Sequence, residues 1–355
     1  MTARHGGGRF VVLGGYGVVG RVVAEALGGW FPGAVVVAGR DGGRAEAVAR
    51  ASRGAVAAHA VDVGDTDAVG RAIAGARVVV MCVERANEAV ARACLERGIH
   101  VVDISASAPV LDAISGLDDL AVEHGATAAL SVGVAPGLTN LLARHCVDQL
   151  PGARTVDITV LIGLGERHGT AAVRWTVDGL TAPRRRDGSG GRGGHGGPGR
   201  ARVSLPGFGT RSAYPFPFSD QHTLTETLGV PTVTRLCFDS ALLTNLVFGL
   251  RATAAMAALG RLGASGALTW LFSRVHLGSE RFAVHAAASD GHRTVSCAAT
   301  GRQEARATGV VAAHVARKLA SGATPPGAHH LDQLVDPVQF LDALAPYGIT
   351  VHRPR

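Results

Sequence analysis

Arg9-Phe10-Val11-Val12-Leu13-Gly14-Gly15-Tyr16-Gly17-Val18-Val19-Gly20, followed by the helical run 21–27, decides the fold. It reads as a short buried strand, a G-x-G-x-x-G turn (Gly15, Gly17, Gly20) and a helix, the setting in which the dinucleotide-binding fingerprint has a physical meaning. Gly15 is expected to permit the tight turn. Gly17 lets backbone approach a pyrophosphate, and Gly20 lets the helix pack close to the strand. The helix start then offers unpaired N–H groups and the positive end of its dipole to the phosphates, through Tyr16, Val18 and Val19 as well as the glycines. In a chain with 49 glycines the pattern alone would be weak, and its place between a clean strand and a clean helix makes it strong.

The second strand, 34–38, ends about twenty residues beyond the fingerprint, where a carboxylate for the ribose 2′-hydroxyl usually sits. Here the chain reads Gly39-Arg40-Asp41, with Arg44 one turn later. A guanidinium suits a 2′-phosphate, which a carboxylate would repel, so NADP is expected, while Asp41 keeps NAD possible.

Through residue 150, short apolar runs alternate with amphipathic ones, which argues βαβ units and a doubly wound parallel sheet of the Rossmann type. Strands are expected at 9–13, 34–38, 55–61, 77–83, 99–104 and 126–132, and helices at 18–28, 42–52, 66–75, 86–97 and 108–124. Asp62 and Val63, after the third strand, stand where a carboxylate reaches the adenine edge, although Asp62 could equally cap a helix. Cys82 and Val83 at the end of the fourth strand, and Pro136 in Pro136-Gly137-Leu138-Thr139-Asn140, complete the candidate cofactor set; Pro136 is read as opening the following helix.

From 151 the pattern changes to strands at 154–163, 200–206, 232–239, 281–289 and 292–300, with Asp290-Gly291 as a hairpin turn. A second α+β domain over 151–301, with a mixed sheet and a Gly/Arg-rich loop at 183–202, follows, and 302–355 is expected to return to the nucleotide domain. That tail reads as a helix at 303–321, a Pro325-Pro326 turn, a helix at 336–345 and a strand at 349–353.

Composition narrows the function classes. The chain has 355 residues, 47% hydrophobic and 18% charged, with a net charge of +7. The positive charge is nearly all arginine, Lys318 being the one lysine, so Schiff-base chemistry has a single, poorly placed candidate. The arginines are scattered without interleaved aromatics, which argues against nucleic acid. Five cysteines without a C-x-x-C pair or a secretory pattern point to a reduced, cytoplasmic setting. Apolar stretches are broken by Gly, Pro or Arg, which argues against a membrane span, and no metal-ligand spacing is present: His329 and His330 are merely adjacent.

Together these pieces resemble the saccharopine dehydrogenase-like family. The resemblance rests on residues 14–20, Ala38-Gly39-Arg40, Val61-Asp62-Val63, Val102-Asp103-Ile104-Ser105, Pro136-Gly137-Leu138-Thr139-Asn140 and Pro325-Pro326-Gly327. It implies a Rossmann domain, a substrate domain inserted before a C-terminal return, NAD(P) as cofactor, and hydride transfer between nicotinamide and an amine or imine carbon of a small polar substrate. Reduction of a C=O or C=C bond on the same fold, or a dinucleotide-sensing protein without turnover, are the alternatives.

By the same resemblance Asp103 and Ser105 match positions lining the reaction cleft, Asp103 as a carboxylate for a protonated amine and Ser105 beside it; a capping pair is the bland alternative. In the loop 165–175, His168 is the acid/base candidate, with Glu166, Arg174 and Trp175 expected to bind substrate. Asp220, Gln221 and His222 are the second choice. A homodimer is expected, because a mixed sheet with one uncovered face commonly buries it against a copy of itself.

Overall fold

The computed structural model describes residues 8–166, 170–181, 199–253, 266 and 278–353. His168 and most of the Gly/Arg-rich loop lie outside these residues. The chain divides into two units, one holding the described residues up to Gly133 with Thr308–Val335, the other Val134–Ala307 with the chain from Asp336 onward.

The first unit is built on a parallel sheet. Its strands are β1 (Arg9–Leu13), β2 (Val35–Gly39), β3 (Val56–Ala60), β4 (Ala76–Met81), β5 (His100–Asp103) and β6 (Thr127–Leu130), each followed by helix. The order across the sheet is β13-β6-β5-β4-β1-β2-β3, where β13 (Gly327–His330) comes from the C-terminal return. Because both faces are covered, Val11, Val12 and Leu13 are all buried, which is why this strand reads as a continuous apolar run instead of an alternating one. The chain reverses direction across the sheet between β1 and β4, and crevices at such switch points are where parallel sheets take ligands. Leu13 is in register with both Ala38 and Met81, and Met81 with Asp103, so the carboxyl ends of four strands finish level.

The second unit holds a mixed sheet ordered β14-β12-β11-β7-β10-β9-β8. Its members are β7 (Thr155–Ile162), β8 (Ala201–Leu205), β9 (Gly209–Pro215), β10 (Thr232–Phe238), β11 (Arg281–Ser289), β12 (Thr294–Arg302) and β14 (Thr350–His352). β7 and β10 run parallel and the remaining pairs antiparallel.

Several expectations need correction. The first unit ends at Gly133 and not at 150, because helix Thr139–Asp148 packs on β11 and β12. The return to the first unit covers Thr308–Val335 only: helix Pro337–Ala343 packs on helix Thr139–Asp148, and β14 pairs with β12. The single helix expected at 108–124 is two, Ala108–Ser115 and Asp118–Glu123, broken at Gly116-Leu117; Asp118 then turns its carboxylate to accept from the Ala328 N–H of β13. The hairpin between β11 and β12 has a four-residue loop, residues 290–293, in which the Asp290 carboxylate accepts from the N–H groups of His292 and Arg293 at 2.8 and 2.7 Å. Finally, Tyr214 and Pro215 belong to β9, a strand the sequence reading did not place.

Candidate functional site

At the end of β1 the chain turns through Gly14, not Gly15, with a left-handed φ of +75°. A Cβ on Gly14 would lie 2.5 Å from Val83 Cγ1 and 2.7 Å from the Cys82 carbonyl, so the turn is seated directly on the end of β4. That gives Cys82 and Val83 a defined role as the floor under the turn. At Gly20, expected to bring the helix close to the strand, a Cβ would lie 2.4 Å from the carbonyl of Gly14, the residue just after β1, so the helix packs onto the turn. Gly17 differs: it is the N-cap of helix Val18–Trp30, its own N–H donates to the Gly14 carbonyl at 2.9 Å, and a Cβ there would meet only that carbonyl, at 3.1 Å. No side chain caps this helix. The amides of Val18, Val19 and Gly20, which have no partner inside the helix, are therefore presented as donors at the positive end of its dipole.

Beside this cradle the Tyr16 ring lies over Gly39, where an added Cβ would come within 2.4 Å of Tyr16 Cε1. The Asp41 N–H donates to the Tyr16 hydroxyl at 3.3 Å, and Arg21 Nε donates to the Tyr16 carbonyl at 3.0 Å. The Arg44 guanidinium sits 4.6 Å from the centre of the Tyr16 ring. Asp41 caps helix Gly42–Ala51, its Oδ1 accepting from the Arg44 N–H at 3.0 Å. Arg40 and Arg44 are both exposed, and neither makes an ion pair with another described residue. Asp62 is not a helix cap: Asp65 caps helix Thr66–Ile73, while Asp62 accepts from the Gly64 N–H at 2.9 Å and lies 3.7 Å from an Arg85 nitrogen. Val63, next to it, is buried.

Asp103 ends β5 wholly buried. Its Oδ1 accepts from the Ser105 N–H at 2.8 Å and its Oδ2 from Asn87 Nδ2 at 2.7 Å; the same amide donates to Ser105 Oγ at 3.1 Å and to the Val83 carbonyl at 3.0 Å. Burial raises the Asp103 pKa, and the bonds from Asn87 and Ser105 oppose that shift. The Cys82 thiol is pushed up by burial and by the Asp103 charge, so it stays protonated. This network ties the ends of β4 and β5 to the start of helix Asn87–Leu95. Asp103 is thus enclosed by protein donors, a different environment from the open carboxylate expected of a group meeting substrate. Asn87, its central donor, belongs to no motif and was not foreseen. Nor was the pair formed where β6 lies beside β13: Ser131, with φ +55°, has its Oγ 2.8 Å from His330 Nδ1 across 199 residues of sequence.

In the second unit Glu166 does not face open solvent as a substrate ligand would. Its carboxylate accepts from the N–H groups of Glu304 and Ala305 at 2.6 and 3.0 Å, and so caps helix Glu304–Ala320. Trp175 packs 5.2 Å from Phe216 and 5.0 Å from Phe218, centroid to centroid, as part of an aromatic cluster. Arg174, one residue earlier on helix Thr170–Thr181, is exposed. Pro136 is buried in a kinked segment, Val134–Leu138, and the helix begins only at Thr139. Gly137 has φ +137°, and its N–H donates to Asn140 Oδ1 at 3.0 Å. Asn140 Nδ2 in turn donates to Thr223 Oγ1 at 3.4 Å.

Asp220, the second-choice candidate, is wholly buried at the start of helix Asp220–Leu228. Thr234 Oγ1 donates to its Oδ1 at 2.5 Å, while its Oδ2 is buried without a hydrogen-bond partner among the described residues. Burial lifts this carboxyl from 3.8 to about 6, against the pull of the Thr234 and Thr139 hydroxyls. A raised folded-state value means that the folded chain holds the proton more tightly than the unfolded one. Stability from this group is therefore full below about pH 4 and is lost as pH rises through about 6. Asp220→Asn keeps an acceptor for Thr234 and removes the charge, so urea midpoints should show the variant stabilised by about 1–3 kcal/mol at pH 8 and little changed at pH 4. Equal midpoints at pH 8 would contradict the assignment.

Among the described residues, no helix is long and apolar enough to cross a membrane, and no group of three His, Cys, Asp or Glu side chains is placed to hold a metal ion. Residues 10–129 match the model of a family described as the saccharopine dehydrogenase NADP binding domain. Among solved structures, the chain is similar to the apo saccharopine dehydrogenase (L-Glu forming) of Saccharomyces cerevisiae, at 15% identity and a TM-score of 0.66, over 98% of this chain and 100% of that one. A partial likeness to Pen from Bacillus thuringiensis has 13% identity, a TM-score of 0.31, and covers 43% of this chain and 58% of that one. No curated protein matches the sequence.

Proposed function

We propose that this chain, which is saccharopine dehydrogenase-like in its nucleotide domain and in its fold, is an NADP-dependent oxidoreductase acting on an amine or imine carbon of a small polar substrate. The observation that carries the cofactor half is the arrangement after β2: two exposed guanidinium groups without ion-pair partners among the described residues, beside a carboxylate already engaged as a helix cap. A ribose 2′-hydroxyl would ask for that carboxylate, whereas a 2′-phosphate asks for the guanidinium groups.

When bound, the dinucleotide supplies or accepts the hydride at nicotinamide C4. The residues of the chain do the rest. The amides of Val18, Val19 and Gly20 hold the pyrophosphate, and Arg40 and Arg44 hold the 2′-phosphate, with the Tyr16 ring fixing Arg44 in place. The bonds from Asn87 and Ser105 hold Asp103, which makes Asp103 a positioning residue for the ends of β4 and β5. His168 is proposed to move the proton on the substrate and Arg174 to pair with a substrate carboxylate; these two roles rest on residue chemistry alone.

The test is a spectrophotometric assay of NADPH with panels of imines, ketones and activated alkenes. Turnover of imines is expected, with His168→Ala lowering kcat about 100-fold and leaving NADPH affinity unchanged. Turnover confined to ketones or alkenes would move the reaction to C=O or C=C reduction. Tight NADPH binding without turnover on any panel would leave a dinucleotide-sensing protein.

A further inference from the structure

We propose that Cys146 and Cys297 are a modification site that closes to an intramolecular disulfide when the protein meets a two-electron oxidant, either a peroxide or a small-molecule disulfide. Their Sγ atoms lie 3.1 Å apart, and no other two of the five cysteines make sulfur–sulfur contact among the described residues. Cys146 is on helix Thr139–Asp148 and Cys297 on β12, so the pair faces across the junction between a helix and the sheet it covers. Both side chains are buried. The remaining partners of the two sulfurs are backbone carbonyls, Ala286 for Cys146 at 3.5 Å and Leu142 for Cys297 at 3.4 Å, so neither thiol is held by a charge or a metal-type ligand.

With a peroxide, one sulfur attacks the O–O bond, becomes a sulfenic acid and releases an alcohol or water. The second sulfur then displaces the hydroxyl as water. Two thiol hydrogens leave, two electrons pass to the O–O bond, and one S–S bond forms. With a small-molecule disulfide, the same two electrons reduce it to two free thiols through a mixed disulfide. The Cys146 sulfur beside it raises the Cys297 thiol, and burial pushes the same way, so thiolate is scarce in the closed state. Reaction therefore waits on the helix lifting from the sheet, and reduction of the product waits on the same motion. The link would bind helix Thr139–Asp148, which follows the kinked segment Val134–Leu138, to β12, across a separation of 151 residues in sequence.

The experiment treats the full chain with hydrogen peroxide, and separately with oxidised glutathione, and counts thiols in denaturant. The five thiols of the reduced chain should fall to three, a peptide map should join 146 to 297, and the melting temperature should rise by about 5 °C. Cys146→Ala should start at four thiols and show no intramolecular link after the same treatment. Five thiols surviving in folded wild type, a link between other cysteines, or sulfinic acid at either position without a link would each overturn the proposal. Should Cys146→Ala not fold, the wild-type peptide map decides the matter alone.

Discussion

Gly17→Val is expected to weaken NADPH binding by at least about 100-fold, which corresponds to about 3 kcal/mol, while leaving the folded chain nearly as stable as before. The reason lies in the difference between two glycines three residues apart. Gly17 has φ −72° and ψ 174°, a conformation any residue adopts, and a Cβ there meets only the Gly14 carbonyl at 3.1 Å, a contact relieved by a few tenths of an ångström. Valine's branches would instead occupy the space over the uncapped amides of Val18, Val19 and Gly20, where the pyrophosphate is proposed to lie. Gly20→Ala is the contrasting variant. Its Cβ would stand 2.4 Å from the Gly14 carbonyl and 2.7 Å from Gly15 Cα, both backbone atoms that cannot step aside, so it should cost about 1–3 kcal/mol of stability. Fluorescence titration with NADPH beside thermal melts separates the two effects. NADPH affinity within threefold of wild type in Gly17→Val would remove the basis of the cofactor assignment.

The same contrast explains how much of this molecule could be read before its structure was known. β1, the glycine turn and helix Val18–Trp30 were legible because each local signal agrees with the others: a buried apolar run, residues that release the chain, and an amphipathic continuation. β13 was not legible, because Gly327-Ala328-His329-His330 has no strand pattern of its own. It becomes a strand through pairing with β6, including the bond from the Gly327 N–H to the Ala126 carbonyl. β9 escaped notice for a related reason: Pro215 closes it, and its place between β8 and β10 is a fact of tertiary pairing.

The site candidates divide along the same line. Tyr16, Arg40, Asp41 and Arg44 all lie between β1 and β3 in sequence, and the structure brings Tyr16, Asp41 and Arg44 into mutual contact. Glu166 carried the right chemistry for a substrate ligand but meets two helix amides 138 and 139 residues away. Asp103 likewise has its oxygens taken by Asn87 and Ser105. A carboxylate in a loop serves either purpose equally well, and sequence spacing holds no record of which distant N–H will arrive beside it.

Replacing both Arg40 and Arg44 with alanine should reverse the coenzyme preference: NADPH affinity is expected to fall about 100-fold or more, and NADH affinity to change less than about threefold. A charge-assisted hydrogen bond contributes about 1.5–3 kcal/mol, so two guanidinium groups on one 2′-phosphate account for that loss even after discounting for their exposure. Two geometric points keep the change specific. Asp41 Oδ1 accepts from the backbone N–H of residue 44 and not from the arginine side chain, so the cap of helix Gly42–Ala51 survives the substitution. Tyr16 stays packed over Gly39 and keeps the bond from the Asp41 N–H, because neither depends on the Arg44 guanidinium that rests on the ring. Salt supplies an independent check: NADPH affinity of the wild type should fall more steeply with ionic strength than that of the double variant, since the attraction between exposed charges weakens as added salt shortens the screening length, about 10 Å at 0.1 M. Equal losses for NADPH and NADH would mean that the arginines act on the adenosine as a whole, and unchanged NADPH binding would place the 2′-phosphate elsewhere.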